Sequence, residues 1–236
     1  MATSSLARAK AGYFVAGTDT GVGKTLVAAA LLHLAGERGL RTAALKPVAA
    51  GSDERGGQRV NEDGLLLQLA SNSHQTYEQV NPVALAAAIA PHIAAAQEGQ
   101  GLSVAQLVDR CRPVLERADV DLLVVEGAGG WLVPLNDDET LADLAAVLRL
   151  PVVLVVGMKL GCLNHALLTC GEICRRGLTL AGWVGSCIDP QMAVLEENLD
   201  TLRQRIDAPC LGVVGHLAKP TPTNAAAGLD AEVLFP

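Results

Sequence analysis

Short runs of consecutive apolar residues alternate along the chain with longer segments in which apolar residues recur every three or four positions. Val- and Leu-rich runs without polar alternation are typical of strands that are buried on both faces. These runs predict strands at 13–16, 41–46, 122–126, 152–156, 180–186 and 210–214. The longer segments predict helices at 24–38, 62–70, 104–117, 141–148, 164–176 and 191–206.

The alternation of strands with helices favours right-handed crossovers and therefore a parallel sheet. No internal repeat or low-complexity linker divides the chain, so residues 1–236 are predicted to form one domain, with residues 1–11 as a flexible N-terminal segment. Residues 53–61 are polar and glycine-rich, which predicts a mobile loop. The alanine-rich residues 84–96 fit either a helix or a loop.

The stretch GTDTGVGKT at 17–25 lies between the first predicted strand and the first predicted helix, the context that a P-loop requires. Its glycines allow backbone N–H groups to surround phosphate oxygens, Lys24 is expected to reach the outer phosphates, and the Thr25 hydroxyl is expected to bind Mg²⁺. The spacing is unusual, because Thr18 occupies the first glycine position and Gly17 lies one residue earlier. The alternative is a glycine-rich turn with an incidental lysine. With the P-loop, the predicted fold class is α/β, a single-domain P-loop NTPase-like fold of three layers in which helices flank a mainly parallel central sheet.

Charged side chains stand where predicted strands end: Lys46 and Glu126 close two of them, and Lys159 follows a third. Ligands of open α/β sheets bind beyond these carboxyl ends. A buried lysine or glutamate is costly without a partner, which an anion for Lys46 and Mg²⁺ for Glu126 would supply, although each side chain alone could reach solvent. Asp63 begins a predicted helix and either caps it or binds metal. Because Mg²⁺ takes few carboxylates, Thr25, Asp63 and Glu126 are a sufficient predicted ligand set.

Composition excludes several classes of protein. Half of the residues are hydrophobic but only 3% are aromatic, and the formal net charge is −7. This charge, together with the absence of a Lys/Arg-rich block, argues against a nucleic-acid partner. The longest strongly apolar run, 152–158, ends at Lys159 and is too short to span a membrane.

The chain carries six cysteines, and none of them forms a C-x-x-C pair. Reduced thiols in a cytoplasmic protein are therefore expected. Cys170 and Cys174 lie one turn apart on a predicted helix, where ordinary packing is favoured over metal binding.

These motifs together resemble the dethiobiotin synthetase family. The matching segments are GTDTGVGKT at 17–25, KPVAAGS at 46–52, EGAGGWLVPL at 126–135, VVGMKLGCLNHA at 155–166 and LTLAGWV at 178–184, with looser matches in NPV at 81–83 and PHIAAAQEG at 91–99. The resemblance implies a ligase of biotin biosynthesis that uses ATP and Mg²⁺. Such an enzyme carboxylates 7,8-diaminopelargonate with CO₂ and closes the ring to dethiobiotin, through a carbamate and a carbamic–phosphoric mixed anhydride, and releases ADP and phosphate.

The resemblance also implies a homodimer whose substrate site lies at the subunit interface, where the helix that starts near Cys162 receives the substrate carboxylate of the neighbouring subunit. It implies that Lys24 and Lys46 are catalytic and that Thr25, Asp63 and Glu126 hold the metal. The implied nucleotide contacts are Gly21, Val22, Gly23, Lys24, Thr25, Leu26, Ser186, Gly215 and Leu217. The implied substrate contacts are Thr18, Lys46, Ala50, Gly129, Cys162, Leu163 and Asn164.

The chain departs from the family at two positions. Ala50 stands where family members carry a serine near the substrate, and Ser186 stands where some carry an asparagine that contacts adenine. A hydroxyl cannot replace the paired donor and acceptor of an amide, so weaker discrimination between nucleoside triphosphates is expected.

Two other functions stay open from the sequence. A P-loop switch or partitioning ATPase is one, although residues 18–22 lack the additional lysine that many such proteins carry. An amidoligase of cofactor synthesis is the other, but it needs a glutamine-hydrolysing domain or an ammonia source, and no such domain is expected to fit in this length.

Overall fold

The computed structural model describes residues 9–234. Its strands are β1 (Ala11–Gly17), β2 (Thr42–Leu45), β3 (Ala49–Ala50), β4 (Asp53–Arg55), β5 (Gln58–Val60), β6 (Ala84–Leu85), β7 (Leu122–Glu126), β8 (Val152–Gly157), β9 (Leu180–Ser186) and β10 (Cys210–Val214). Its helices are α1 (Lys24–Glu37), α2 (Glu62–Ala70), α3 (Tyr77–Val80), α4 (Pro91–Gln97), α5 (Val104–Leu115), α6 (Leu141–Leu148), α7 (Cys162–Arg175), α8 (Leu195–Arg205), α9 (Pro222–Ala226) and α10 (Ala231–Leu234).

The central sheet has six strands in the order β10-β9-β8-β1-β7-β2, and every neighbouring pair is parallel. Helices cover both faces, which confirms the predicted fold class. Because all six strands are parallel, their carboxyl ends lie at one edge of the sheet. The six predicted strands and six predicted helices are all present. The last predicted helix begins four residues late, at Leu195, because Val194 adopts a left-handed conformation with φ 49°.

The two faces of the sheet bury separate cores, and successive residues of β1 alternate between them. Phe14 and Ala16 enter the core under α5, α6 and α7, whereas Val15 enters the core under α1. Helix α1 is buried on most sides, and its small residues allow it to approach the sheet closely. Leu31 and Leu32 of this helix are fully buried, and burial of each leucine contributes roughly 1.5–3 kcal/mol.

Two segments differ from or refine the sequence prediction. Residues 53–61 were expected to form a loop, but they contain the antiparallel hairpin β4–β5. Gly56 and Gly57 turn this hairpin with φ of 60° and 80°, the left-handed geometry that favours two-residue hairpin loops. Residues 84–96 are neither one helix nor one loop, because β6 pairs in parallel with β3 and Pro91 then starts α4.

Part of the predicted flexible N-terminal segment, residues 1–8, lies outside the described residues, and β1 begins at Ala11. Within residues 9–234, the helices are too short or too polar to cross a membrane.

Candidate active site

The P-loop connects β1 to α1 and depends on glycine at two positions. Gly21 and Gly23 have φ of 72° and 87°, a region that side chains rarely adopt. A Cβ atom on Gly23 would also lie 2.8 Å from the Ser186 hydroxyl oxygen. The chain therefore turns tightly into α1. Lys24 and Thr25 are the first residues of this helix, and its N-terminus favours anions.

Lys24 is buried and lines the cavity beside the P-loop. Its Nζ donates to the backbone oxygen of Asp19 at 2.8 Å. Burial lowers the pKa of Lys24 to about 8, against the opposing attraction of Glu126. An anion that entered the cavity would therefore stabilise the charged form of this side chain.

Lys46 and Glu126 meet inside the protein instead of reaching solvent. Their side chains are 3% and 0% exposed, and Lys46 Nζ lies 2.6 Å from Glu126 Oε1 and 3.1 Å from Asp63 Oδ2. The same Nζ donates to the Gly127 oxygen at 3.1 Å. Burial opposes its charge, but Glu126 and Asp63 outweigh that effect and raise the pKa of Lys46. The solvent alternative for these two residues is therefore wrong.

The carboxylate of Glu126 presents one paired and one unpaired oxygen. Thr25 Oγ1 donates to Glu126 Oε1 at 2.9 Å. Glu126 Oε2 is buried and has no hydrogen-bond partner among residues 9–234, and burial raises the pKa of this carboxyl. A buried, unpaired carboxylate oxygen is costly unless a cation approaches it.

Asp63 is not the cap of α2. Asn61 holds the cap position, and its side chain accepts from the Asp63 N–H. The Asp63 carboxylate instead pairs with Lys46, which outweighs burial and holds the pKa of Asp63 below its usual value. Thr25, Asp63 and Glu126 thus offer a hydroxyl and two carboxylates, hard oxygen donors of the kind that fit Mg²⁺. No group of three or more His, Cys, Asp or Glu residues within 9–234 is arranged to hold a metal.

A cavity of about 870 Å³ contains this charged cluster. The charged side chains and the P-loop form one part of its wall. The other part is mostly apolar and is formed by residues from β3, α2, the segment between β6 and the start of α4, and the segment after β7. These residues are Ala49, Ala50, Leu66, Ala88, Ile89, Ala90, Pro91, Ala128, Val133 and Pro134.

The structure brings many of the predicted site residues to this cavity. Those in its lining are Gly21, Gly23, Lys24, Thr25, Leu26, Lys46, Ala50, Asp63, Glu126 and Gly129. Lys24, Lys46 and Glu126 therefore share one site. The apolar wall residues Leu66, Ile89 and Val133 escaped the sequence analysis, because nothing local distinguishes them from other apolar residues.

Other predicted site residues, in the P-loop and in β9, lie outside the cavity lining within residues 9–234. Val22 is fully buried. Thr18 Oγ1 accepts from the Gly157 N–H at 3.3 Å, and Ser186 is buried against Gly23. These contacts hold the P-loop onto β8 and β9. Gly215 and Leu217 follow β10 and are also outside the lining.

The predicted carboxylate-binding residues form the first turn of α7. Cys162 is buried, Leu163 is partly buried and Asn164 is exposed, and none of them lines the cavity of the described chain. Lys159, just before this helix, forms an ion pair with Asp19 of the P-loop at 2.9 Å. The position of Lys159 at this edge was predicted from the sequence, whereas its pairing with Asp19 was not.

Of Cys170 and Cys174 in α7, only Cys170 fits the expected packing role. Cys170 is buried and Cys174 is exposed. Burial raises the pKa of the Cys170 thiol to about 12, which disfavours the thiolate that a metal needs.

Known proteins resemble this chain at three levels: a family profile, curated relatives and a solved structure. A family profile described as an AAA domain matches residues 11–224. The "ATP-dependent dethiobiotin synthetase BioD" of Cellvibrio japonicus is 58% identical over 96% of this chain and 98% of its own length. The protein of that name from Aromatoleum aromaticum is 51% identical over 92% of this chain and 96% of its own. Among solved structures, the Pyrococcus furiosus cell division ATPase MinD has a TM-score of 0.52 at 15% identity, covering 94% of this chain and 90% of that one, a likeness of fold alone.

Proposed function

This chain belongs to the family of ATP-dependent dethiobiotin synthetases, and we propose that the cavity beside its P-loop is where the family's reaction takes place. The reaction is a ligation that consumes ATP and converts 7,8-diaminopelargonate and CO₂ to dethiobiotin, ADP and phosphate. The observation that carries the placement is Lys46, held between two carboxylates in the same cavity as Lys24.

The reaction proceeds in three steps. One amine of the diamine adds to CO₂ and loses a proton, which gives a carbamate. A carbamate oxygen then attacks the γ-phosphorus of ATP, and ADP leaves. The second amine attacks the carbonyl carbon of the mixed anhydride, phosphate leaves with the former carbamate oxygen, and the ureido ring closes.

Lys24 and Lys46 address the main barrier, which is the approach of two anions. Phosphoryl transfer depends on positioning and on neutralisation of charge. Lys24 and the backbone N–H groups of residues 21–26 hold the phosphates, and Lys46 lies at the point where carbamate and γ-phosphate meet. Glu126 and Asp63 already hold the Lys46 ammonium in place. Because Glu126, Asp63 and the Gly127 oxygen accept from all three of its N–H groups, one of these bonds is exchanged when the carbamate arrives.

Thr25, Asp63 and Glu126 are the residues that would hold Mg²⁺. The unpaired oxygen of Glu126 supports this assignment, since a cation would satisfy it. When bound, the ion neutralises phosphate charge. Glu126 and Asp63 then have two functions, because both also orient Lys46.

The apolar wall of the cavity suits the methylene chain of the diamine. Ala50, Ile89 and Val133 belong to this wall. Ala50 offers no hydroxyl, so we propose that affinity for the diamine depends mainly on apolar contact. Gly129 completes the substrate side of the cavity. We propose that Thr18 and Ser186 act on the ligands through the P-loop that they hold in place, and that Gly215 and Leu217 complete the nucleotide side.

We propose that the enzyme is a homodimer that acts in the cytoplasm as one domain without a nucleic-acid partner. Leu160, just before α7, and Leu168, within it, are 98% and 66% exposed, and Leu132 is 52% exposed. Burial of these side chains in a second copy would bring the first turn of α7, with Cys162 and Asn164, to the partner's substrate. The N–H groups of that turn suit a carboxylate. The negative net charge supports the proposal that the enzyme has no nucleic-acid partner. The unpaired cysteines support the proposed cytoplasmic location.

An assay of phosphate release tests the function directly. With ATP, Mg²⁺ and bicarbonate, release is expected to depend on 7,8-diaminopelargonate, because the carbamate is the nucleophile. Omission of the diamine is expected to leave only slow background hydrolysis. Equal release with and without the diamine would instead indicate a P-loop ATPase of another class.

A further inference from the structure

Three buried polar side chains, Asn61, Tyr77 and Asn81, connect the backbone segments that carry Lys46 and Asp63. They are 7%, 7% and 3% exposed. The Tyr77 hydroxyl is the centre of the group: it donates to Asn81 Oδ1 at 2.8 Å and accepts from the Asn61 N–H at 2.7 Å. Neither Tyr77 nor Asn81 lines the cavity.

Asn81 fixes the backbone at Lys46. Its Nδ2 donates to the Lys46 oxygen at 2.7 Å and to the Val83 oxygen at 3.2 Å. The Lys46 N–H donates to the Val80 oxygen at 2.7 Å. Both backbone groups of Lys46 are therefore held by the segment formed by α3 and Asn81.

Asn61 fixes the start of the helix that carries Asp63. Its Oδ1 accepts from the Asp63 N–H at 3.0 Å. Its Nδ2 donates to the backbone oxygens of Ala50 and Gly51 at 3.2 and 3.0 Å. The same residue thus ties Asp63 to the chain that follows Lys46 and contributes Ala50 to the cavity wall.

Gly64 of α2 leaves room for the side chains of Tyr77 and Asn81. A Cβ atom on Gly64 would lie 3.0 Å from both the ring and the hydroxyl of Tyr77 and 3.1 Å from Asn81. Burial raises the pKa of Tyr77, so its hydroxyl stays protonated and continues to donate. The Tyr77 hydroxyl therefore has two fixed partners and limited freedom to choose others.

We propose that Tyr77 is a positioning residue that sets the relative placement of Lys46 and Asp63 through Asn81 and Asn61. The inference rests on the proposed roles of Lys46 toward the carbamate and of Asp63 toward Mg²⁺. Residues that orient metal ligands from behind typically change metal affinity or activity by about 10- to 100-fold when they are removed. Loss of one hydroxyl leaves the Asn61 N–H and Asn81 Oδ1 unpaired, so both segments are free to shift.

The test compares Tyr77→Phe with Tyr13→Phe in the full-length enzyme. Tyr13 is the only other tyrosine of the chain, and its hydroxyl donates to the Leu234 oxygen at 2.9 Å, away from the cavity. Each variant loses one hydroxyl group and the hydrogen bond that this hydroxyl donates. The measurements are kcat, the ATP affinity without metal, and the binding of Mn²⁺ to the enzyme–ATP complex, followed by electron paramagnetic resonance of free Mn²⁺.

Tyr77→Phe is expected to lower kcat and weaken Mn²⁺ binding, each by roughly 10- to 100-fold. Metal-free ATP affinity is expected to stay unchanged, because the P-loop lies on other elements. Tyr13→Phe is expected to change none of these quantities. A Tyr77→Phe enzyme that loses thermal stability but keeps the kcat and Mn²⁺ affinity of the unmodified enzyme would overturn the proposal.

Asp63→Asn distinguishes failure of this inference from failure of its premise. If Asp63→Asn weakens Mn²⁺ binding and Tyr77→Phe does not, the positioning role is overturned and the metal role of Asp63 stands. If neither variant changes Mn²⁺ binding, the metal role fails and the inference fails with it. Should Tyr77→Phe not fold, Asn61→Ser replaces it, since serine still caps α2 but cannot donate to Ala50 and Gly51. Unchanged kcat and Mn²⁺ affinity in that variant would count equally against the proposal.

Discussion

Lys46→Ala is expected to retain ATP binding and to lower diamine-dependent turnover by about 10²- to 10³-fold, the usual loss when one preorganised group that stabilises transition-state charge is removed. Lys46 Nζ is the cation that the two carboxylates direct into the cavity. Without it, carbamate and γ-phosphate would approach each other with less compensation of their charge. The P-loop contacts with the nucleotide do not involve this side chain, so binding should survive.

The same change is expected to destabilise the fold. Removal of one partner of a buried ion pair costs about 3–5 kcal/mol, because the other charge is left buried. Glu126 is 0% exposed and would lose its closest cation. Urea denaturation measures this loss, and isothermal titration with ATP identifies conditions in which the variant is folded.

Lys10→Ala is the matched control for this experiment. Lys10 is 77% exposed and pairs with Asp121 at the protein surface. Its removal is expected to leave turnover and ATP binding unchanged. Full turnover in Lys46→Ala would show that Lys46 is not part of the chemistry and would remove the main support for placing the reaction in this cavity.

Glu126→Gln is expected to raise the Mg²⁺ concentration needed for half-maximal turnover and to lower the maximal rate. The substitution keeps the size of the side chain but replaces one carboxylate oxygen with an amide nitrogen, which cannot bind Mg²⁺. It also removes the anion closest to Lys46. The loss should exceed the roughly 10- to 100-fold typical of residues behind a metal ligand, because Glu126 is proposed as a ligand itself.

Glu116→Gln is the control for that variant. Glu116 is exposed at the end of α5, and its carboxylate forms a long, solvent-exposed contact of 3.5 Å with Arg112. Initial rates measured across a Mg²⁺ series at saturating ATP and diamine separate the two variants. An unaltered Mg²⁺ dependence in Glu126→Gln would contradict the ligand assignment of Glu126.

The main sheet and the phosphate end of the site could be predicted because their signals are local. Val/Leu runs predict strands that are buried on both faces. The P-loop motif identifies the loop between the first strand and the first helix. Lys46 and Glu126 were recognised because a charge at the end of a buried strand needs a partner. The pairing of Lys46 with Glu126 and Asp63 could not be predicted from the sequence, because the three residues belong to different parts of the chain.

The elements that escaped prediction are short. Strands β3 and β6 contain two residues each, too few to show any periodicity. Helix α3 has four residues, but Thr76 and Gln79 form a capping box whose sequence signature could have identified it. Tyr77 carries no local signal at all, because its importance depends on Asn61 and Asn81, which approach it only in the folded chain.

The most direct test of the account follows oxygen atoms in a single turnover with ¹⁸O-labelled CO₂. If the carbamate attacks the γ-phosphorus in this cavity, one labelled oxygen leaves with phosphate and the other stays in the ureido carbonyl of dethiobiotin. Mass spectrometry of both products from one sample should therefore find equal enrichment, whatever label CO₂ has lost to water beforehand. Labelled dethiobiotin accompanied by unlabelled phosphate would contradict the account, because it would mean that the γ-phosphoryl group is transferred to water and not to the carbamate.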